Sequence, residues 1–436
     1  TQQPQLRTGV LSALIARHGE YGYPSGGGAE FWRTSVDQFQ WSSCVSRGSR
    51  RIRHDRSRDF GRWLMRRQTS RPRDNWPRIV ESQGLVFHSI DEIAYWDESV
   101  YYEFTRAEID QLELATDELN VRCLDAVQYV IDQDRLGDLQ IPPEFHEFIR
   151  ESWERDEQTV IGRFDLVFDG RSPPKLLEYN ADTPTSLLEA AVIQWHWLRD
   201  QFPLRQQFNS IHDRLIEAWS TFRAGRSPRM VFAALGGEIE DFINVNYLRD
   251  TAIQAGWQTD YLDIEKLGWN EDTKIFTDLA NRPLPDIFKL YPWEWMHREQ
   301  FGPMLARSQT RWLEPPWKAI LSNKGILAIL WEMFPDHPNL LPASFQPLAG
   351  DHVRKPLFSR EGANIQIVKF GMVRSETGGP YDGPLVYQQL CELPNFQGFH
   401  PCIGSWLVNG WACGIGVRED ESLITGNVSR FVPHLF

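Results

Sequence analysis

The chain is short of cysteine, of lysine and of long apolar runs, and each shortage excludes something. No stretch of its 436 residues approaches the roughly 18 apolar residues of a membrane-spanning helix, and the patch Val10–Ala16 lacks the flanks of a signal peptide. Five cysteines (Cys44, Cys123, Cys391, Cys402, Cys413) are scattered without a CxxC pair, and an odd number argues against a secreted disulfide framework. A cytoplasmic location with reduced thiols is expected. None of the eleven histidines stands in an HxxxH pair or beside cysteines at ligand spacing, which disfavours zinc. The phosphate loops GxxxxGK[ST] and GxGxxG are both absent, so the two commonest nucleotide loops are excluded. Acids exceed bases by 59 to 46, which disfavours nucleic acid as a partner.

What the chain does have is a globular balance of 41% hydrophobic and 24% charged residues, enough for a sizeable core. Residues 1–75 depart from it. They hold Gly26-Gly27-Gly28, an arginine-rich stretch from Arg47 to Arg73 and a single short apolar run, so a disordered extension is predicted, with Met65 a candidate natural start. Thr105-Arg-Ala-Glu108 reads as a capping box. Ile109, Leu112, Thr116, Leu119, Cys123, Val127 and Val130 follow at helical spacing and predict one long amphipathic helix. Met230–Leu235 and Ile287–Tyr291 read as strands with a helix near Val245–Ala255 between them, a middle α/β unit at about 225–300. From Pro342 short apolar runs alternate with glycine turns, as in an antiparallel sheet.

The most informative stretch runs from Ile161 to Asp182. Two β-prone runs flank Asp169-Gly-Arg-Ser-Pro-Pro174, which predicts a hairpin. Alternation puts Arg163 and Asp165 on one face of the first strand, and Glu178 and Asn180 on one face of the second. If the faces coincide, three oxygen-bearing groups converge beside a guanidinium, a donor set suited to Mg²⁺; a cross-strand salt bridge on a solvated face is the alternative. Asp182 or Thr183 can cap a following helix, with Pro184 in its first turn and Leu187–Ala191 continuing it. A ligand anion is expected at that N-terminus, beside the hydroxyls of Thr183, Thr185 and Ser186. There are eight lysines, leaving 38 of the 46 basic residues as arginine. Two of the eight stand out: Lys324 in Ser-Asn-Lys-Gly, and Lys355 on a predicted strand ahead of a small-residue turn whose N–H groups could fold over phosphates. An ordinary hairpin turn with surface cations remains the alternative there.

Arg163-Phe-Asp165, Leu177-Glu-Tyr-Asn-Ala-Asp-Thr-Pro-Thr-Ser-Leu-Leu-Glu-Ala190, Glu314-Pro-Pro-Trp-Lys318, Ser322-Asn-Lys-Gly325 and Lys355-Pro-Leu-Phe-Ser-Arg-Glu-Gly-Ala-Asn-Ile365 together resemble the glutathionylspermidine synthase family, and within it the stand-alone bacterial acid–amine ligases. The resemblance runs from about Arg73 to the C-terminus. It implies an α+β, ATP-grasp-type fold over 76–436, with its ATP-binding part at about 310–436, joining a carboxylic acid or peptide to an amine or polyamine with ATP and Mg²⁺. It implies Asp165, Glu178 and Asn180 as Mg²⁺ ligands, Arg163 beside the transferred phosphoryl and Arg418 as a late phosphate-facing arginine. Lys324 and Lys355 match the nucleotide lysines, and Ser359, Arg360, Glu361, Gly362, Ala363 and Asn364 the loop over the phosphates. Gln388 and Gln389 fall where the adenine strand is expected, and Glu240 and Asp241 match an acidic pair on the substrate side. Two departures matter. Residues 1–75 are too short and unpatterned for the N-terminal amidase of bifunctional members, so amidase activity is not expected. The string Ser-Ala-Ser-Cys of glutathione-using members is Thr183-Pro-Thr-Ser186 here, which puts glutathione in question as the acid and spermidine as the amine. Read from residues alone, a metal-dependent phosphohydrolase or a non-catalytic nucleotide-binding module are the rival readings.

Overall fold

The capping box forms as its spacing requires. Thr105 Oγ1 accepts from the Glu108 amide at 3.2 Å, and the Glu108 carboxylate accepts from the Thr105 amide at 2.7 Å. The helix so started, Arg106–Asp132, runs for 27 residues and buries the predicted stripe against the strands His400–Val408 and Trp411–Asp420. The computed structural model describes residues 64–90 and 93–436. Three sheets carry the fold in this part of the chain, and among the described residues no helix is long and apolar enough to cross a membrane.

The central sheet is antiparallel, in the order Arg430–Val432, Trp411–Asp420, His400–Val408, Ile161–Val167, Lys175–Asn180. Its last two strands are the predicted hairpin. Asp169 closes the turn by accepting from the amides of Arg171 (2.8 Å) and Ser172 (2.7 Å), which fixes the register of the two strands. Gly170, at φ 76, lies so close to Glu108 that a Cβ there would sit 2.5 Å from its Oε1; the turn is thereby packed onto the start of the long helix.

The middle α/β unit is a four-stranded parallel sheet ordered Arg311–Leu313, Asp286–Leu290, Arg229–Ala234, Gln258–Asp263. Helix Ile239–Gln254 crosses between the last two strands in that order. The third sheet is the antiparallel one expected after Pro342, ordered Ala343–Ser344, Leu385–Gln389, His352–Pro356, Gln366–Lys369, Met372–Glu376. One continuous apolar core joins all three, with residues as separated as Leu112, Phe164, Val231, Trp312, Ile329 and Val386 in a single cluster.

The predicted extension ended at residue 75, and the structure corrects that boundary. Arg66–Thr69 is a strand paired with Val100–Glu103, which in turn pairs with His434–Leu435 near the C-terminus. Arg67 donates twice to Glu419, at 2.8 and 2.7 Å, and Arg73 reaches both Glu98 (2.6 Å) and Asp200 (2.7 Å). Arg67 and Arg73 are therefore partners of the buried carboxylates of Glu419 and Glu98, and low apolar content hid their order. The rest of the predicted extension, residues 1–63, lies outside the described residues.

Candidate active site

The hairpin faces coincide. Arg163 lies opposite Asn180 and Asp165 opposite Glu178. Arg163 Nε donates to Asp165 Oδ1 at 2.7 Å, and Asn180 Nδ2 donates to Asp165 Oδ2 at 3.1 Å and to Glu178 Oε1 at 3.3 Å. The guanidinium also donates to the Thr185 carbonyl at 2.6 Å and lies over the Trp406 ring. The neighbouring strand makes room for it with Gly404, opposite Asp165: a Cβ there would stand 3.0 Å from Arg163 Cδ.

Both sequence-predicted lysines reach this hairpin. Lys324 forms an ion pair with Glu178 at 2.9 Å and donates to the Ser359 carbonyl at 2.6 Å. Lys355 donates to the Leu177 carbonyl at 2.8 Å and to Gln388 Oε1 at 2.7 Å. Burial works against the Glu178 charge, but Lys324 and Lys355 prevail and hold its carboxyl at about 2. Burial pushes the Lys355 ammonium down to about 8 despite Glu178. Burial also raises the Asp165 carboxyl, with Arg163 opposing. An electropositive, oxygen-lined site results.

The two carboxylates and the amide carbonyl are hard oxygen donors from one sheet face. They fit a Mg²⁺ ion that takes its remaining ligands from phosphate and water. Among the described residues no group of three or more His, Cys, Asp or Glu side chains is gathered for a metal.

A cleft of about 220 Å³ opens over the hairpin. One part of its wall is apolar, with Val353, Ile365, Ile367, Leu390, Leu393 and Leu423 beside Leu177. Another part carries Arg163, Asp165, Glu178, Asn180, Lys355 and Arg418. The rest is made by Thr183, Thr185, Asp241, Trp295, Arg360, Glu361 and Gly362. Arg360 ties the loop after Lys355 to the wall by donating to Thr183 Oγ1 and Glu294 Oε1, both at 2.6 Å. Arg418 donates to the carbonyls of Gly426 and Asn427.

Several predicted residues stand elsewhere. Gln388 is buried, bonded to Lys355 and the Leu176 carbonyl, and Gln389 is exposed; neither lines the cleft, whose edge at this strand is Leu390–Leu393. Inward alternation on the strand put Gln388 in the core, a signal legible in Val386-Tyr-Gln388. Ser359, Ala363 and Asn364 shape the loop and do not line the cleft: Ser359 Oγ donates to the Pro356 carbonyl, and Asn364 Oδ1 accepts from the Tyr381 amide. Asp182 does not cap the helix that follows it. It is fully buried, accepting from Lys289 Nζ at 2.6 Å and from the Trp293 amide at 2.9 Å, and so ties the end of the hairpin to the parallel sheet. The predicted free helix N-terminus is also spent: the Leu187 amide donates to Asn244 Oδ1, and the helix passes through a π-helical turn, Glu189–Ile193.

On the substrate side, Asp241 faces the cleft from the first turn of helix Ile239–Gln254. Burial, with Glu240, Glu238 and Glu361 nearby, raises its carboxyl to about 7. Sequence reasoning missed Glu294, Trp295 and Tyr95, which come from segments with no motif of their own, and gave no role to Glu189, which lies within the string ending at Ala190.

The family model described as "Glutathionylspermidine synthase preATP-grasp" matches residues 67–436. A Haemophilus influenzae protein named for acid–amine ligase activity is 44% identical over 398 residues, covering 85% of this chain and 100% of that protein. Trypanothione synthetase of Crithidia fasciculata is 29% identical over 338 residues, 70% of this chain and 51% of the relative. The bifunctional glutathionylspermidine synthetase/amidase of Escherichia coli is 27% identical over 405 residues, 86% of this chain; the matched part is 63% of that relative's length. These matches define an enzyme of the carbon–nitrogen ligase class. The chain belongs to the glutathionylspermidine synthase family.

Proposed function

We propose that the chain is an ATP- and Mg²⁺-dependent acid–amine ligase on an ATP-grasp-type fold, forming an amide through an acyl phosphate. The observation that carries this reading is the single cleft that joins an apolar slot, a cation-ringed set of oxygen donors and an acidic wall.

A carboxylate does not condense with an amine unaided, because hydroxide is a poor leaving group. Transfer of the ATP γ-phosphoryl to the acid supplies a good one, and the amine then displaces phosphate. The protein's part in such chemistry is positioning and charge neutralisation. The apolar slot between Val353, Ile367 and Leu393 would take the base. Lys355 and Lys324 would offset phosphate charge, and Arg163 and Arg418 would stabilise the group in transfer. Asp165, Glu178 and Asn180 would hold the metal ion, which would supply neutralisation of phosphate charge. Arg360, on the loop after Lys355 and bonded to Thr183, would meet the carboxylate of the acid. Asp241 and Glu240 give the amine side its negative charge, in keeping with a cationic amine or polyamine.

ATP consumption measured with a panel of acids and polyamines, with products identified by mass, tests the proposal. An amide formed only when acid, amine and ATP are all present is the expected outcome. ATP or phosphoester hydrolysis indifferent to the amine would replace it with the phosphohydrolase reading.

A further inference from the structure

Beneath the acidic wall lies a buried chain of hydroxyls that the reaction as described does not use. Ser186 Oγ is 3.1 Å from Tyr95 Oη, and Tyr95 Oη donates to Glu189 Oε1 at 2.8 Å. Tyr95 spends its proton on Glu189, so Ser186 is the donor in the first contact. The Ser186 lone pairs are then free to accept.

What they can accept from is set by position. Ser186 is 2% exposed, and its open edge faces a narrow recess beside the cleft, shared with Arg163, Asp165 and Arg418. Its φ of 64 is left-handed, a conformation that a serine holds only where the surroundings impose it. Glu189 is fully buried in the π-helical turn, and its second oxygen, Oε2, is buried without a hydrogen-bond partner. A carboxylate with an unpaired buried oxygen is poised to take a proton. The charges that act on it are Glu240 from helix Ile239–Gln254, which favours proton uptake, and Arg418 from strand Trp411–Asp420, which opposes it; Tyr95 is its hydrogen-bond donor.

We propose that Ser186, Tyr95 and Glu189 form a proton wire that removes the ammonium proton of the amine substrate, with Glu189 as the terminal acceptor. The inference rests on the acid–amine ligase reading above and deepens it. An aliphatic amine is protonated at neutral pH, and the ammonium form has no lone pair for attack. It gives one proton to Ser186 Oγ as Ser186 passes its own to Tyr95 and Tyr95 passes its own to Glu189. The freed amine forms the C–N bond, the carbonyl C–O bond breaks with its electron pair leaving on phosphate, and the departing phosphate takes the nitrogen's second proton. Ser186 is the group that meets substrate; Tyr95 and Glu189 act through it.

The test compares the full-length chain with Glu189→Gln and Tyr95→Phe, using ATP, MgCl₂ and glutathione, glutamate or a short peptide as acid. Spermidine, which arrives protonated, and hydroxylamine, which is largely neutral at pH 7, serve as alternative nucleophiles. Both variants are expected to lose spermidine-dependent amide formation by about 100-fold and to keep hydroxamate formation within about threefold. In Glu189→Gln the plateau of the spermidine rate profile above neutral pH is expected to give way to a rate that keeps rising with pH as free amine becomes available. Variants that keep the spermidine rate and its plateau overturn the wire. Equal loss with both nucleophiles also overturns it, leaving a structural role. A wild-type chain that makes no hydroxamate with any of these acids overturns the ligase reading itself.

Discussion

Glu189 and Asp241 are carboxyls that burial and neighbouring acids raise to about 7. For such a group the folded protein binds a proton that the unfolded chain releases near pH 4.5, so stability falls as pH rises from the unfolded value through the folded one. Removing the charge at Glu189 relieves this. Glu189→Gln, which keeps an acceptor for Tyr95, is expected to stabilise the unliganded protein by about 3 kcal/mol at pH 8 and to leave it nearly unchanged at pH 4. Thermal unfolding at both pH values checks this; equal shifts at both would refute the buried charge. Lys355 is the cationic counterpart, an ammonium that burial likewise pushes toward its neutral form. Lys355→Met is expected to lower ATP turnover by about 10²–10³. The same change leaves Gln388 and the Leu177 carbonyl without their donor while removing a buried charge, two opposed effects, so the protein is expected to stay folded. Near-normal turnover in that variant would remove Lys355 from the mechanism.

The hairpin Ile161–Asn180 shows how much an element can do by itself. Its turn, its alternation and its polar residues were readable in order, because a strand's faces follow from a period of two and a turn from Asp-Gly-Arg-Ser chemistry. What could not be read was the strand beside it. Gly404, opposite Asp165, leaves space for the Arg163 side chain, and nothing local marks it among the chain's other glycines. Gly404→Ala is expected to displace Arg163 from Asp165, cutting ligase activity at least tenfold while costing roughly 1–3 kcal/mol of stability. A Gly404→Ala protein with intact activity and unchanged melting temperature would show that Arg163 adapts. The helix after the hairpin is the contrary case. Thr183 and Pro184 read as a helix start, yet the first amide goes to Asn244 and Asp182 turns to Lys289, because a buried ammonium in the parallel sheet is a stronger claim on a carboxylate than a solvated cap.

Taken whole, the described chain is fastened at its two ends. Arg67 pairs with Glu419 and Arg73 with Glu98, and both carboxylates are buried. A chain starting at Trp76 loses both arginines and strand Arg66–Thr69. Breaking a buried pair by removing one partner costs about 3–5 kcal/mol. Such a chain is expected to melt far below one that starts at Leu64, and to accumulate as aggregate on expression. Circular dichroism melts of the two truncations decide it, and equal midpoints would make these pairs incidental.

The sequence by itself determined the elements and much of the chemistry: a capped long helix, a carboxylate hairpin, two scarce lysines and a family of ligases. Each rests on residues near one another along the chain, where periodicity and turn preferences act. The tertiary structure decided which side chains meet. Asp182 finds Lys289 across 107 positions and Arg67 finds Glu419 across 352. Ser186 meets Tyr95 for the same reason. Contacts at such separations are fixed by how three sheets pack on a common core, a balance of burial and polar satisfaction that no local pattern encodes.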